Sequence, residues 1–377
     1  MKQIQISSPS IGVEEYEALK ESIDSGWVTQ GPKVREFESS FSNFHNLKHS
    51  LAVTSCTTGL QLILATLNLK EGDEVIVPAF TWVSTANVVL HAGAKPVFVD
   101  IDLNTFNIDA QKIKERVNEK TKAIIVVHLF GLCADIEAIK KVAGNIPIIE
   151  DAACAVGAQH PEGFAGSLGI AGSFSFHPRK TITTGEGGMV TTNNSALAEK
   201  MNILRNHGAS ISEEQRHHGP KPYILPEFSA CGFNFRMTDL QGAIGVEQMK
   251  KLPYLLKEKN LKATYYNQCL DQISWLKKPH VPNGYTHGWQ AYVCLVSQEK
   301  GHNFRNNLMD YLQEKGISTR PGTHAVHMLE FYAKSFSIEE DDFPQAKLAD
   351  QLSIALPLHS KMSDDDYFYI IDTIKAF

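Results

Sequence analysis

Short apolar runs alternate with segments of helical period over the first two-thirds of the chain. EVIV at Glu74–Val77, PVFV at Pro96–Val99, AIIVV at Ala123–Val127, IPII at Ile146–Ile149 and GSFSF at Gly172–Phe176 read as buried strands. Between them lie helix-like stretches such as Gly59–Leu67, where Leu60, Ile63, Leu64 and Leu67 fall at helical spacing. Strand–helix alternation of this kind predicts an α/β fold with a largely parallel sheet flanked by helices. Ligands of such sheets gather at the carboxyl ends of the strands. Asp151 stands just past one such end and Lys180 just past another.

From about Leu252 the texture changes. LPYLLKEKNLKATYYNQCL reads as a long helix, followed by the alternating WQAYVCLV and an amphipathic segment near Phe304–Lys315. The expectation is a large domain over residues 1–250 and a smaller C-terminal α+β domain over residues 251–377. At 377 residues the chain exceeds what one core usually serves. The stretch His217–Ile224, with two prolines and a glycine, is the candidate mobile loop.

Charge removes one class of partner: a formal net charge of -6 gives no support to nucleic acid. No apolar run is long enough to span a bilayer, and MKQIQISSPSIGVEEYEALK has no signal core, so a cytoplasmic protein is expected. The six cysteines lie far apart with no CxxC pair, as expected of reduced thiols. No metal-ligand spacing occurs; the adjacent His217 and His218 read as a solvated loop.

The candidate chemistry centres on SFHPRKTITTGEGGM, Ser175–Met189. A lysine withdrawn from water has a lowered pKa and can attack a carbonyl to form a Schiff base. A pyridoxal phosphate site also needs a carboxylate for the ring nitrogen, donors for the phosphate and an apolar face. Asp151 in EDAACAVGA, the hydroxyls of Ser55, Thr57 and Thr58 in VTSCTTGLQL, and Trp82 in VPAFTWVSTAN are the candidates. Each has a plainer alternative: a surface lysine, a helix N-cap for Asp151 and the hydroxyls, a core position for Trp82. Gly185, Gly187 and Gly188 would let the chain turn back close to the site. TGEGG lacks the GxGxxG spacing, and there is no GK[ST].

From GWVTQGP through AVTSCTTGLQL, EDAACAVGA, GSFSFHPRKTITTGEGGMV and LRNHG to GFNFRMTDLQGAIG, the chain resembles the nucleotide-sugar aminotransferases. That family is pyridoxal-phosphate-dependent, with the aspartate aminotransferase-like fold, its large domain holding the cofactor. The resemblance implies that Lys180 is the Schiff-base lysine, that Asp151 pairs with the ring nitrogen and that Trp82 stacks on the ring. It further implies that Thr57, Thr58 and Ser175 hold the phosphate, joined by Asn234 of a second copy, hence a homodimer with shared sites. The resemblance also implies that Cys154 lies near the cofactor's phenolic oxygen, where the family usually carries Gln or His, and SCTTGL replaces the usual SGTAAL-type turn.

The implied reaction moves an amino group from glutamate to a nucleotide-linked keto-deoxysugar, at C-4 rather than C-3, for glycan or glycoside biosynthesis such as lipopolysaccharide. Thr29, and Arg320, His324 and His327 in STRPGTHAVHM, are the candidate substrate residues. The alternatives are a pyridoxal-phosphate-dependent sugar dehydratase, which typically has histidine in place of Lys180, and a non-catalytic protein that only binds the cofactor.

Overall fold

The computed structural model describes residues 3–211, 223 and 225–377; the expected loop at 217–224, with His217 and His218, lies outside them except for Tyr223. The first strands are β1 (His49–Val53), β2 (Glu74–Pro78), β3 (Phe80–Thr81), β4 (Lys95–Val99) and β5 (Thr121–Val127). They are followed by β6 (Ile148–Asp151), β7 (Gln159–His160), β8 (Gly163–Phe164), β9 (Ala171–Ser175) and β10 (Gly188–Thr192). Helices α1 (Val13–Asp24), α2 (Pro32–His45), α3 (Cys56–Ala65), α4 (Ser84–His91), α5 (Ala110–Arg116), α6 (Ile136–Ala143) and α7 (Ser195–Arg205) are interleaved with them.

Seven strands form one sheet in the order β1-β10-β9-β6-β5-β2-β4. Neighbours from β9 to β4 are parallel, and β10 runs antiparallel to both β9 and β1. This is the expected α/β architecture. Along β2, Val75 and Val77 pack with Leu60, Ile63 and Val88 on one face, while Ile76 joins Phe37 and Phe41 on the other. Burial on both faces explains why the strands read as continuous apolar runs rather than alternating ones.

Two strands of this sheet were hidden by polarity. HSLAV of β1 and GMVTT of β10 carry hydroxyls that a buried strand seldom shows. In β10 they are satisfied by carbonyls: Thr191 Oγ1 donates to Gly166 O at 2.8 Å and Thr192 Oγ1 to Ile170 O at 2.7 Å.

The long helix α8 (Asp239–Cys269) starts well before Leu252, because Thr238 and Gln241 close a capping box at its N-terminus. Its first half packs Val246, Met249 and Leu252 under the large sheet, and its second half carries Ala263 and Tyr266 into a separate C-terminal cluster. Position 250 therefore lies inside one continuous helix. The C-terminal part adds β11 (Leu276–Lys277), β12 (Tyr292–Val296), β13 (His324–Ala325) and β14 (Ser353–Leu356). Strands β11, β12 and β14 form an antiparallel sheet packed with α9 (Gly301–Glu314) and a C-terminal helix over Asp364–Ala376. Ile4 joins this cluster from the other end of the chain and bridges to Ile317.

Two buried histidines are expected to make the fold acid-sensitive. His45 Nδ1 donates to Phe41 O at 3.1 Å and Nε2 accepts from Gly157 N at 3.1 Å, so one neutral tautomer satisfies both bonds. Burial lowers its pKa to about 4, and burial with the nearby Lys259 lowers that of His287 to about 3. The unfolded chain, with ordinary histidines, binds more protons below about pH 6.5. The stability each neutral ring contributes is thus complete above that pH and is lost as pH falls towards 4, by about 1.4 kcal/mol per unit per histidine. Denaturant melts should show a midpoint that is flat from pH 8 to 7 and falls steeply from 6 to 4; His45→Phe should flatten part of that slope.

Candidate active site

The parallel strands deliver their last residues to one edge of the sheet. Asp151 ends β6, in register with Val127 on one side and Ser173 on the other, and Ser175 ends β9. β1 leads through Thr54 into Ser55, the N-cap of α3, whose hydroxyl accepts from Thr58 N at 3.1 Å. Because β10 runs the other way, it begins where these strands finish: Gly188 pairs with both Val53 and Ser175.

That pairing answers why glycines follow Lys180. A Cβ on Gly188 would stand 2.4 Å from Ser55 C and 2.6 Å from Cys56 N, so any side chain would push the α3 turn off the sheet. Gly185 adopts φ of +83° at the tip of the turn. The loop between β9 and β10 is closed by Thr184 N on Phe176 O at 3.0 Å and Phe176 N on Gly187 O at 2.9 Å. Lys180 stands on this loop, with its own N–H on His177 O at 2.8 Å.

Asp151 is not a helix cap. It is 4% exposed at a strand end, and its carboxylate accepts from Thr85 Oγ1 at 2.8 Å and from Ala153 N at 3.1 Å. Thr85 spends its single hydroxyl proton on Asp151, so Thr81 donates to Thr85 across their 3.1 Å contact. Cys56 Sγ lies 3.7 Å from the same carboxylate and 3.3 Å from Ser173 O. Burial and the Asp151 charge push the Cys56 thiol well above its ordinary pKa, so it is a neutral neighbour.

Lys180 Nζ lies 3.1 Å from Cys154 Sγ. Burial pulls the lysine pKa down, but Cys154 beside it and the Asp151 carboxylate outweigh burial and leave it raised. The sequence suggested a lowered value; withdrawal from water is offset here by the electron-rich groups that share the pocket edge.

The remaining candidates divide. Trp82, 54% exposed as it leaves β3, has its ring 5.6 Å from that of His324, because β13 pairs with β3 and brings His324 opposite Thr81. Thr57 and Ser175 are half-buried at the α3 and β9 ends. The Thr58 hydroxyl is committed to the cap, at 3.0 Å from Ser55 N. Asn234 is exposed, its backbone bridged to Asn206. Thr29 and Arg320 are exposed as well. His327 is corrected: it is fully buried, with Nε2 against Glu340 O at 3.2 Å and its ring 4.8 Å from Phe343. A core histidine, lowered in pKa by burial, does not meet a solvent-borne diphosphate.

Thr85, Cys56 and Asp239 escaped the sequence reading. Asp239 accepts from the amides of Gly31, Lys33 and Val34 at 2.8, 3.1 and 2.9 Å, tying the GWVTQGP stretch and the start of α2 to the start of α8. The signal was present in RMTDLQ as a capping-box pattern, but its distant partners were not.

An amine, a buried carboxylate, a helix N-terminus with hydroxyls and an exposed indole face thus converge on one edge, a donor set that suits pyridoxal phosphate. Among the described residues no cluster of His, Cys, Asp and Glu is placed to hold a metal, and no helix is long and apolar enough to cross a membrane.

The chain is 39% identical over 372 residues to the spore coat polysaccharide biosynthesis protein SpsC of Bacillus subtilis, covering 98% of this chain and 95% of that protein. Its fold superposes with a TM-score of 0.92 and 29% identity on the sugar aminotransferase Spr1654 of Streptococcus pneumoniae in its PLP form, covering 100% of this chain and 98% of that one. PseC of Helicobacter pylori, an aminotransferase involved in pseudoaminic acid biosynthesis, matches with a TM-score of 0.91 and 27% identity over 100% of this chain and 99% of its own. The model of the DegT/DnrJ/EryC1/StrS aminotransferase family matches residues 9–375. With a match of that extent, and the amine and carboxylate brought to one edge of the sheet, the chain belongs to the DegT/DnrJ/EryC1/StrS aminotransferase family and is a pyridoxal-phosphate-dependent sugar aminotransferase.

Proposed function

We propose that the chain transfers an amino group from glutamate to C-4 of a nucleotide-linked keto-deoxysugar, with Lys180 and Asp151 as its principal groups. The observation that carries this reading is the convergence of the Lys180 loop and the β6 end at one sheet edge, with Cys154 Sγ against Lys180 and Cys56 Sγ against Asp151. Pyridoxal phosphate, when bound, supplies an electron sink that acidifies the carbon bearing the amino group.

The chain's own groups do the rest. Lys180 would hold the cofactor through Nζ and, with the amino donor bound, would move a proton to and from the substrate carbon. Asp151, oriented by Thr85 and Ala153 N, keeps the ring nitrogen protonated. The first turn of α3 would receive the phosphate at a helix N-terminus, with Thr57 and Ser175 as hydroxyl donors and Thr58 shaping the turn through its bonds to Ser55. Trp82 offers its exposed face to the ring. Cys154 Sγ, beside Lys180, takes the place near the phenolic oxygen. Asn234, exposed in one copy, completes the phosphate site of a second, which makes the active unit a homodimer. Thr29, Arg320 and His324, all exposed, line the approach for the nucleotide sugar.

Residues 1–250 then hold the cofactor, and residues 251–377 form the smaller domain that borders it. The likeness to SpsC supports an aminosugar destined for a surface polysaccharide. Six free cysteines support a reducing, cytoplasmic setting. Lys180 itself weighs against the dehydratase reading.

The test is turnover of the purified protein with pyridoxal phosphate, glutamate and a panel of nucleotide-linked 3-keto and 4-keto sugars. We expect 2-oxoglutarate release with 4-keto acceptors and a product whose carbon spectrum places nitrogen on C-4. Amination of 3-keto sugars alone overturns the regiochemistry, and no turnover with any nucleotide-linked ketosugar overturns the acceptor class.

A further inference from the structure

We infer that Lys259 is a positioning residue for Lys180, acting through the backbone of Trp289 and the side chain of Gln290. This rests on the reading of Lys180 as the lysine that holds the cofactor. Lys259 lies on α8, buried, and its Nζ donates to Trp289 O at 3.0 Å. Trp289 adopts φ of +46°, a left-handed conformation that a bulky residue resists. The next residue, Gln290, donates through Nε2 to Arg179 O at 3.1 Å. Arg179 immediately precedes Lys180, so the loop that carries the amine is held from the C-terminal side by this contact.

The segment around Trp289 is wedged rather than suspended. Gly288 N donates to Gly131 O at 2.8 Å and Ala291 N to Phe130 O at 3.2 Å, next to the carboxyl end of β5. A Cβ on Gly131 would stand 2.8 Å from Trp289 N. The Trp289 ring stacks on His287 at 3.9 Å, and its Nε1 donates to Asn260 Oδ1 at 3.2 Å, one residue along α8 from Lys259. These ties flank the Trp289 carbonyl, and the cationic Lys259 is the group that reaches it. A charged donor on a carbonyl is stronger than a neutral one, which suits a site that must hold an unfavourable backbone. A core apolar residue would fill the same space without restraining the Trp289 carbonyl. Burial holds the Lys259 pKa down at about 8, with Cys154 opposing, so the ammonium form dominates at neutral pH. His287 stays neutral beside it.

The experiment compares Lys259→Met, Lys259→Arg, Gln290→Ala and the Lys259→Met/Gln290→Ala double variant as holoenzymes. The readouts are visible circular dichroism of the bound cofactor, kcat, KM for the amino donor and Tm. We expect Lys259→Met to weaken the visible dichroism and lower kcat by about tenfold, with donor KM within about twofold. Gln290→Ala should change both in the same direction by less, and Lys259→Arg should restore much of the loss. The double variant should be no worse than Lys259→Met alone, since both cuts sever one line of contacts. Losses that multiply, or a lower Tm with dichroism and kcat unchanged, overturn the proposal. If Lys259→Met gives no folded holoenzyme, an unchanged dichroism and kcat in Gln290→Ala overturns it. A visible band that persists in Lys180→Ala would instead sink the Lys180 reading.

Discussion

Lys180→Ala is expected to abolish the visible absorbance band of the pyridoxal phosphate-loaded protein and to lower transaminase kcat on the order of 10⁴-fold or more. One side chain serves as both the covalent anchor and the proton carrier, so its removal deletes two functions together. The fold should tolerate the change. Lys180 is half-buried, its side-chain hydrogen bond is to Cys154, and its loop is held by backbone bonds at Phe176, Thr184 and Gly187. Its pKa is raised by Cys154 and Asp151, so loss of the ammonium removes a favourable charge beside them and a modest fall in Tm is expected. Lys180→Arg separates charge from chemistry: a guanidinium preserves the cation but stays protonated and does not attack a carbonyl. It should be as inactive as the alanine variant while recovering the lost Tm. A visible band and turnover within tenfold of wild type in either variant would exclude Lys180 as the anchor.

Lys180 and Asp151 were legible in the sequence because each follows a short apolar run, and strand ends are where an α/β sheet keeps its chemistry. Burial on both faces made those runs continuous and easy to see. The polar strands β1 and β10 were not legible, since the carbonyls that satisfy Thr191 and Thr192 come from elsewhere in the chain. The same limit applies at the site. His324 and His327 look alike in THAVHM, yet pairing of β13 with β3 leaves one against Trp82 and drives the other into the core. Thr85 reads as one more hydroxyl in VSTAN; only the fold, which sets α4 against α3, β2 and β4, brings it to Asp151. Gly59 replaces a commoner residue of the family turn, and the structure supplies the reason: a Cβ there would stand 2.2 Å from Ser173 Oγ. Local pattern thus reports which residues end strands and cap helices. Contacts made across the sheet, which decide charge state and burial, have no local trace.

Asp151→Asn is the second large effect, and it separates the charge of the carboxylate from its shape. Thr85 Oγ1 and Ala153 N both donate to Asp151. The amide oxygen can keep the bond from Ala153 N, while the Thr85 hydroxyl rotates to accept from the new NH₂ group, so the cost to stability should be about 1 kcal/mol. Catalysis should suffer far more. A neutral amide does not hold a proton on the ring nitrogen, and without that charge the ring is a poor electron sink. We expect kcat to fall roughly 10²–10³-fold, the usual scale for removing one preorganised electrostatic partner. The visible band should persist, because Lys180 still anchors the cofactor, and glutamate should bleach it slowly rather than not at all. That pairing of a retained band with a slowed half-reaction distinguishes Asp151→Asn from Lys180→Ala in one spectrophotometric titration. A kcat within threefold of wild type would remove Asp151 from the electron-sink role and leave it as a structural link between β6 and α4.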